Sequence, residues 1–313
     1  IMIYTVTLNP AVDKNIQLKD FKVNQVNRAD EIREDAGGKG INVSNMIKNL
    51  HGKSVALGIC GGSTGAFILS QMDVMGLEHL FVRGKGQTRT NIKIVDGLNQ
   101  TFTDINETGQ PIDTSDLTTL EELLFTKLTA DDFLVLAGSV PMNCPKDIYK
   151  KWTIMANKIG AKVILDADRD LLSHGIEGGP FLIKPNTSEL EMLFGRKIET
   201  IDEAINLSSK LFQYGIQVIV ISRGKEGCVV VTPQEIYELP ALDVTVKSTV
   251  GAGDSMVAAI AYALDSKQTL EEAIVLGVAA SSASIMQEGT IMGDLDTILQ
   301  LKQQVTINKK DRS

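Results

Sequence analysis

The 313-residue sequence has few cysteines and few histidines, and neither type is grouped. Cys60, Cys144 and Cys228 are odd in number, far apart and without metal-ligand spacing. Neither a disulfide framework nor a zinc site is expected, and the three read as buried thiols in a reducing cytosol. His51, His79 and His174 sit in no catalytic-looking setting and are expected at the surface. No apolar run approaches the length of a membrane span, and no signal peptide is visible; Ile1 reads as an addition ahead of a natural start at Met2. Positive charge is also short. With 31 Lys and Arg against 39 Asp and Glu, the net charge of −8 argues against general binding of nucleic acid or an anionic membrane. Any basic pocket is therefore local. Two glycine signatures are missing as well. The chain has no G-x-x-x-x-G-K-[ST] and no G-x-G-x-x-G after its first strand, which argues against a Walker-type loop and a nicotinamide-dependent oxidoreductase.

What is present is the composition of an ordinary globular protein, long enough for one large α/β domain. Met2–Leu8 is an expected buried strand, stopped by Asn9-Pro10. Two polar alternating segments, about 14–21 and 27–36, read as strands exposed on one face. A helix is expected over Lys39–Leu50, then a strand over Val55–Ile59 and a second helix after Gly61-Gly62. Thr88–Val95 and Gln100–Ile105 form a hairpin pattern around Asp96-Gly97. From about 113 helices alternate with nearly continuous apolar strands at Phe133–Ala137, Lys162–Asp166, Phe181–Ile183 and Gln217–Ser222. Such strands belong to a parallel sheet covered on both faces. Cys228–Thr232 and Glu235–Leu239 suggest an antiparallel edge pair; three helices close the chain, and the 309–313 tail is expected to fray. The expected fold is one domain over 1–313: a doubly wound, mostly parallel α/β core with a small β-sheet lid drawn from about 14–36 and 88–106.

The stretch around which the rest is organised is Ser248–Ala261 (STVGAGDSMVAAIA). Gly251-Ala252-Gly253 can turn tightly and aim N–H groups at one point, and a helix starting there adds its free N–H groups and positive dipole end. That makes an anion hole, with phosphate the usual guest. Asp254 is either a charge on the helix N-terminus or a base placed where an acceptor hydroxyl approaches. In Ala36–Ser44 (AGGKGINVS) the glycines either start a helix or let backbone approach a sugar, with Asn42 offering an amide to ring hydroxyls. Asp13 lies past the first strand, at the edge outside which open α/β sheets bind ligands; it is otherwise a turn residue. In Lys184–Glu189 (KPNTSE), Asn186 and Glu189 stand at capping-box spacing. The same two groups can hold water around Mg²⁺, which prefers oxygen ligands and keeps much of its hydration. Ser222–Gly227 (SRGKEG) is a turn or a nucleotide-phosphate loop.

In chain order, TLNPAVD, AGGKGINVS, GQTRTN, LAGSVP, KPNTSE, SRGKEG and STVGAGDS resemble the ribokinase-like sugar kinases, from Met2 to about Gly289. The resemblance implies an ATP- and Mg²⁺-dependent phosphotransferase. In it Asp254 is the base, Gly251, Ala252 and Gly253 form the anion hole for the transferring phosphoryl group, and Asn186 and Glu189 organise Mg²⁺ through water. Lys184, Ser222, Gly224 and Gly227 match the contacts to ATP phosphates, and the Gly277–Ser284 helix, with Ala280 and Ser284, an adenine slot. Asp13, Gly37, Gly38 and Asn42 match positions at the sugar hydroxyls. Arg28, Lys39 and Arg89 fall at the lid–core junction, and three cations there in an acidic protein suggest an acceptor that already bears a phosphate. Asn91 and Ser139 belong to the same side. TLNPAVD, VNR, GGKGINVS and G-x-T-R-x-N narrow the resemblance to the phosphosugar branch, and Gly86–Asn106 to its fructose 1-phosphate kinases. Tagatose 6-phosphate and fructose 6-phosphate are the alternative acceptors, and a catalytically silent nucleotide-binding module is the alternative of another class. A cytoplasmic homodimer joined through the lid is also implied.

Overall fold

The computed structural model describes residues 1–312. Its strands are β1 (Ile3–Thr7), β2 (Ala11–Leu18), β3 (Glu31–Gly37), β4 (Ser54–Gly61), β5 (Glu78–Gly84), β6 (Arg89–Asp96) and β7 (Thr101–Asn106). They continue as β8 (Phe133–Ala137), β9 (Lys162–Asp166), β10 (Leu182–Ile183), β11 (Val218–Ser222), β12 (Cys228–Val231), β13 (Glu235–Leu239) and β14 (Asn308–Asp311). Ten of them make one sheet in the order β14-β13-β12-β11-β10-β9-β8-β1-β4-β5. From β5 to β11 every pair is parallel, and β12, β13 and β14 extend the edge antiparallel. The central strands carry apolar residues at consecutive positions because both faces are covered. One face packs Leu57, Leu136 and Leu165 against helices that contribute Leu124, Trp152 and Leu190. The other packs Ile3, Val135 and Val220 against Met46, Val257 and Ala279.

The second sheet has four strands in the order β3-β2-β6-β7. It is fed directly from β1, because β2 begins at Ala11, with Ala11 and Val12 buried, rather than at about 14. Asp13 therefore lies inside β2, opposite Asn91 of β6 and Asp35 of β3, and not in a turn. β3 starts only at Glu31, which leaves Arg28 in the exposed connection before it. The sequence reading omits β5, a half-buried edge strand without clean alternation. It also expects a frayed tail, whereas Asn308–Asp311 pairs with β13. Lys310 reaches Glu238 at 2.7 Å and Lys309 reaches Glu235 at 2.8 Å, so the lysines of this strand have cross-strand partners.

Candidate active site

The carboxyl ends of β1, β8 and β9 and the N-termini of three helices (Lys39–Asn49, Thr187–Phe194 and Ala252–Asp265) converge on a cavity of about 430 Å³. Gly251, Gly253, Asp254, Glu189, Lys39 and Asn42 line it from the large sheet's side. Asp13, Arg89 and Asn91 line it from the small sheet, with Gly38 and Ser139 at the junction.

The Ala252–Asp265 helix is anchored by Val257, Ala258, Ala261 and their neighbours, all buried. Gly251 precedes it in the left-handed region (φ 77°), and no side chain caps its start among the described residues. Its first-turn N–H groups and positive dipole end are thus aimed at the cavity. Asp254, in that first turn, is buried, and its Oδ2 accepts a hydrogen bond from Asn42 Nδ2 at 2.8 Å. Burial raises the Asp254 carboxyl above its ordinary value; the Lys39 ammonium opposes that rise and the Asp166 carboxylate adds to it.

Asn42 and Lys39 are delivered by a helix seated very close to β1. The Ile41 N–H donates to Thr7 Oγ1 at 3.1 Å. A Cβ on Gly38 would stand 2.5 Å from Thr7 Cγ2, and one on Gly40 2.5 Å from Thr7 Oγ1. Gly38 also has φ 134°, so this approach requires glycine. Gly37 makes room on the other side: its Cβ would fall 2.0 Å from Asp13 Oδ2. Asp13 Oδ1 accepts from Asn91 Nδ2 at 3.0 Å, and Asn91 Oδ1 is buried with no partner among the described residues. Burial raises the Asp13 carboxyl, against the Asn91 hydrogen bond and the nearby Arg89 charge. Arg89 donates through Nε and Nη2 to the Asn9 carbonyl at 3.3 and 3.1 Å and through Nη1 to the Glu107 carbonyl at 3.2 Å. Ser139 accepts from Asn9 Nδ2 at 3.2 Å.

The sequence reading misses Asp166, at the end of β9 and 2% exposed on its side chain. Lys39 Nζ lies 3.2 Å from its Oδ2 and Lys184 Nζ 3.3 Å from its Oδ1. Burial alone would raise this carboxyl, but the two ammonium groups outweigh it and hold it below its ordinary value. Lys39 in turn is held protonated, chiefly by Asp166. The signal was available: an acid ends an apolar strand at the same sheet edge that drew attention to Asp13.

Beside Glu189 a second cavity of about 480 Å³ is lined by Asn186, Thr200, Ser222, Arg223, Gly224 and other residues. Asn186 and Glu189 cap the Thr187–Phe194 helix reciprocally, each backbone N–H donating to the other's side chain at 2.8 Å. Gly224 (φ 55°) faces open space, whereas Gly227 (φ 85°) does not line the cavity. A Cβ there would meet the Leu239 carbonyl at 2.0 Å, so Gly227 serves the close passage of two backbones.

Besides Gly227, three expected site residues are not brought together with the rest. Arg28 is exposed and lines neither cavity. Ala280 and Ser284 are buried in the core rather than facing a slot. The Ser284 hydroxyl is engaged by Ser255 Oγ at 2.7 Å and by the Gly293 N–H at 3.0 Å.

Among the described residues no group of three or more His, Cys, Asp or Glu could cage a metal ion. The hard oxygens of Glu189, Asn186 and Asp254 nevertheless suit a hydrated Mg²⁺ brought in on phosphates. Glu189 is pushed up by burial, against the Asn186 N–H.

The chain matches the pfkB family carbohydrate kinase description over residues 6–298. It is 37% identical over 308 residues to the 1-phosphofructokinase of Bacillus subtilis, covering 98% of this chain and 100% of that protein. It is 38% identical over 289 residues to the 1-phosphofructokinase of Borreliella burgdorferi, covering 91% and 92%. The phosphofructokinase-2 of Escherichia coli, solved with substrates and products, superposes with a TM-score of 0.92 at 28% identity, covering 97% of this chain and 99% of that one. With a family match over nearly its whole length and a site built where an open α/β sheet places one, the chain belongs to the pfkB family of carbohydrate kinases.

Proposed function

We propose that the protein is a sugar-phosphate kinase that transfers the γ-phosphoryl group of ATP to fructose 1-phosphate, giving fructose 1,6-bisphosphate and ADP. The observation that carries this reading is a single cavity holding both a buried acid on a helix N-terminus, Asp254, and the cations Lys39 and Arg89. An uncharged sugar would need no such cations, whereas a sugar phosphate does.

In this reading Asp13, Asn42 and Asn91 hold the sugar hydroxyls, and Lys39 and Arg89 face the 1-phosphate. Arg28 stands too far out in this arrangement to be given that role. Asp254 accepts the proton of the 6-hydroxyl as it attacks, a contribution of roughly 10²–10⁴-fold. The N–H groups of Gly251 and Gly253 and the Lys184 ammonium meet charge developing on the transferring group, and each donor contributes up to about 3–4 kcal/mol. Asn186, Ser222 and Gly224 line the ATP-phosphate side. Mg²⁺, held through water by Asn186 and Glu189, would supply charge neutralisation on the phosphates. The four-stranded sheet acts as a discontinuous lid on the single domain, and its closure keeps water from the phosphoryl group.

The lid's other face supports a homodimer. Ile16, Ile32 and Ile94 stand in register across three strands, opposite in side to Asp13, and Ile105 extends the patch from β7. Ile32 is 54% and Ile105 52% exposed in the single chain. Three buried free thiols fit a reducing compartment, the cytoplasm.

The test is ADP release with Mg-ATP and fructose 1-phosphate, tagatose 6-phosphate or fructose 6-phosphate in parallel. A kcat/KM for fructose 1-phosphate at least about a hundredfold above the others, some 2.7 kcal/mol, is expected. Preference for a 6-phosphate would overturn the acceptor while keeping the kinase, and no turnover with any of the three would overturn the reading.

A further inference from the structure

Lys39 and Lys184 come from distant parts of the chain and serve different halves of the site. The stem of Lys39 lies 3.5 Å from where a Cβ of Gly138 would stand, and Lys39 lines the acceptor cavity. The Lys184 ammonium rests against the anion-hole turn, 3.0 Å from where a Cβ of Gly253 would stand. Both end on the two oxygens of one carboxylate, Asp166. The backbone that carries this carboxylate is held in place: the Gly138 N–H donates to the Asp166 carbonyl at 3.0 Å, and the Lys184 N–H donates to the Leu165 carbonyl at 3.2 Å. The other charged or titratable groups near this trio are Asp254, Glu189, Asp168, the Cys228 thiol and, behind the sheet end, Tyr149.

We propose that Asp166 is a positioning residue that sets both cations at once, holding Lys39 over the acceptor and Lys184 beside the transferring phosphoryl group. A buried carboxylate shared by two ammonium groups leaves the trio with one net positive charge, so it can receive an anion at either end. The role rests on the kinase reading above and assigns Asp166 contact with neither substrate. Its consequence is linkage: disturbing this one carboxylate disturbs the acceptor side and the transfer side together.

The experiment uses the full chain with Mg-ATP and fructose 1-phosphate. Lys39→Met is expected to raise the acceptor KM at least tenfold with kcat within threefold, and Lys184→Met to lower kcat at least tenfold with the acceptor KM within threefold. Asp166→Asn is expected to do both. In Asp166→Asn/Lys39→Met the acceptor KM is expected within twofold of Lys39→Met alone, because the carboxylate acts on KM through that lysine. Multiplied effects in the double variant would overturn the proposal. So would an Asp166→Asn enzyme with unchanged KM and only a smaller active fraction, as a purely structural residue would give.

Should Asp166→Asn not fold, Asp166→Glu keeps the charge but displaces both ammonium groups. It is expected to move KM and kcat in the same directions, and unchanged constants would overturn the proposal. A wild-type protein inactive on every ketose phosphate would overturn the proposed function and leave the linkage of the two lysines through Asp166 to be tested separately. The linkage is then read from thermal unfolding, where Lys39→Met and Lys184→Met should each lower Tm more with Asp166 present than in Asp166→Glu. Equal shifts in the two backgrounds would overturn it.

Discussion

Gly37→Ala perturbs the acceptor side of the site without changing its net charge. The added Cβ would lie 2.0 Å from Asp13 Oδ2, 2.5 Å from its Cγ and 3.0 Å from its Oδ1, so the carboxylate must swing away. Its hydrogen bond from Asn91 Nδ2, 3.0 Å long, is lost with it. A hydrogen bond to a charged group is worth about 1.5–3 kcal/mol. If Asp13 holds an acceptor hydroxyl, losing that contact should raise the sugar-phosphate KM by about 10- to 150-fold. The KM for ATP should stay within twofold, because Asn186, Ser222 and Gly224 line a different cavity. The assay is steady-state ADP release with each substrate varied in turn. A folded Gly37→Ala enzyme whose acceptor KM stays within threefold of wild type would refute the placement of Asp13 on the sugar.

The other expectations concern the metal and the oligomer. Glu189→Gln retains an oxygen that can accept the Asn186 N–H, so the helix cap should survive while the free Mg²⁺ for half-maximal rate rises about tenfold. An unchanged Mg²⁺ titration would remove Glu189 from that role. Ile105→Asp puts a charge on the exposed apolar face of the lid and should convert a dimer to a monomer by light scattering. A variant that stays dimeric would place the interface elsewhere.

The parts of this molecule most legible in the sequence are those where only one residue type fits. Gly38 and Gly40 reveal the close seat of a helix on β1, and Gly251 a left-handed turn before Asp254. Apolar runs such as Phe133–Ala137 reveal the covered sheet for a similar reason, since consecutive buried positions admit little else. What stayed hidden depends on partners far away in the chain. The β14 strand reads as a solvated tail until Glu235 and Glu238 stand across from its lysines. The importance of Asp166 emerges only when Lys39 and Lys184 arrive from two other segments. The adenine-slot role of Ala280 and Ser284 rests on resemblance alone, and the polar partner of Ser284, Ser255, lies 29 residues away, outside its local pattern.

The most direct test of Asp254 as the base is Asp254→Asn, followed by both turnover and unfolding. Asparagine is nearly isosteric and can still accept from Asn42 Nδ2, so the fold should persist. kcat should fall by about 10²–10⁴-fold. Burial places the folded-state pKa of Asp254 above its unfolded value of about 3.9. The ionised carboxylate therefore costs stability at pH above both values, and the cost disappears as pH falls below the unfolded one. Asparagine removes the cost, so Tm at pH 7 should equal or exceed that of wild type, with the difference vanishing in acid. A variant that retains more than a tenth of wild-type kcat would contradict the account, whereas an inactive protein of undiminished Tm is what it predicts.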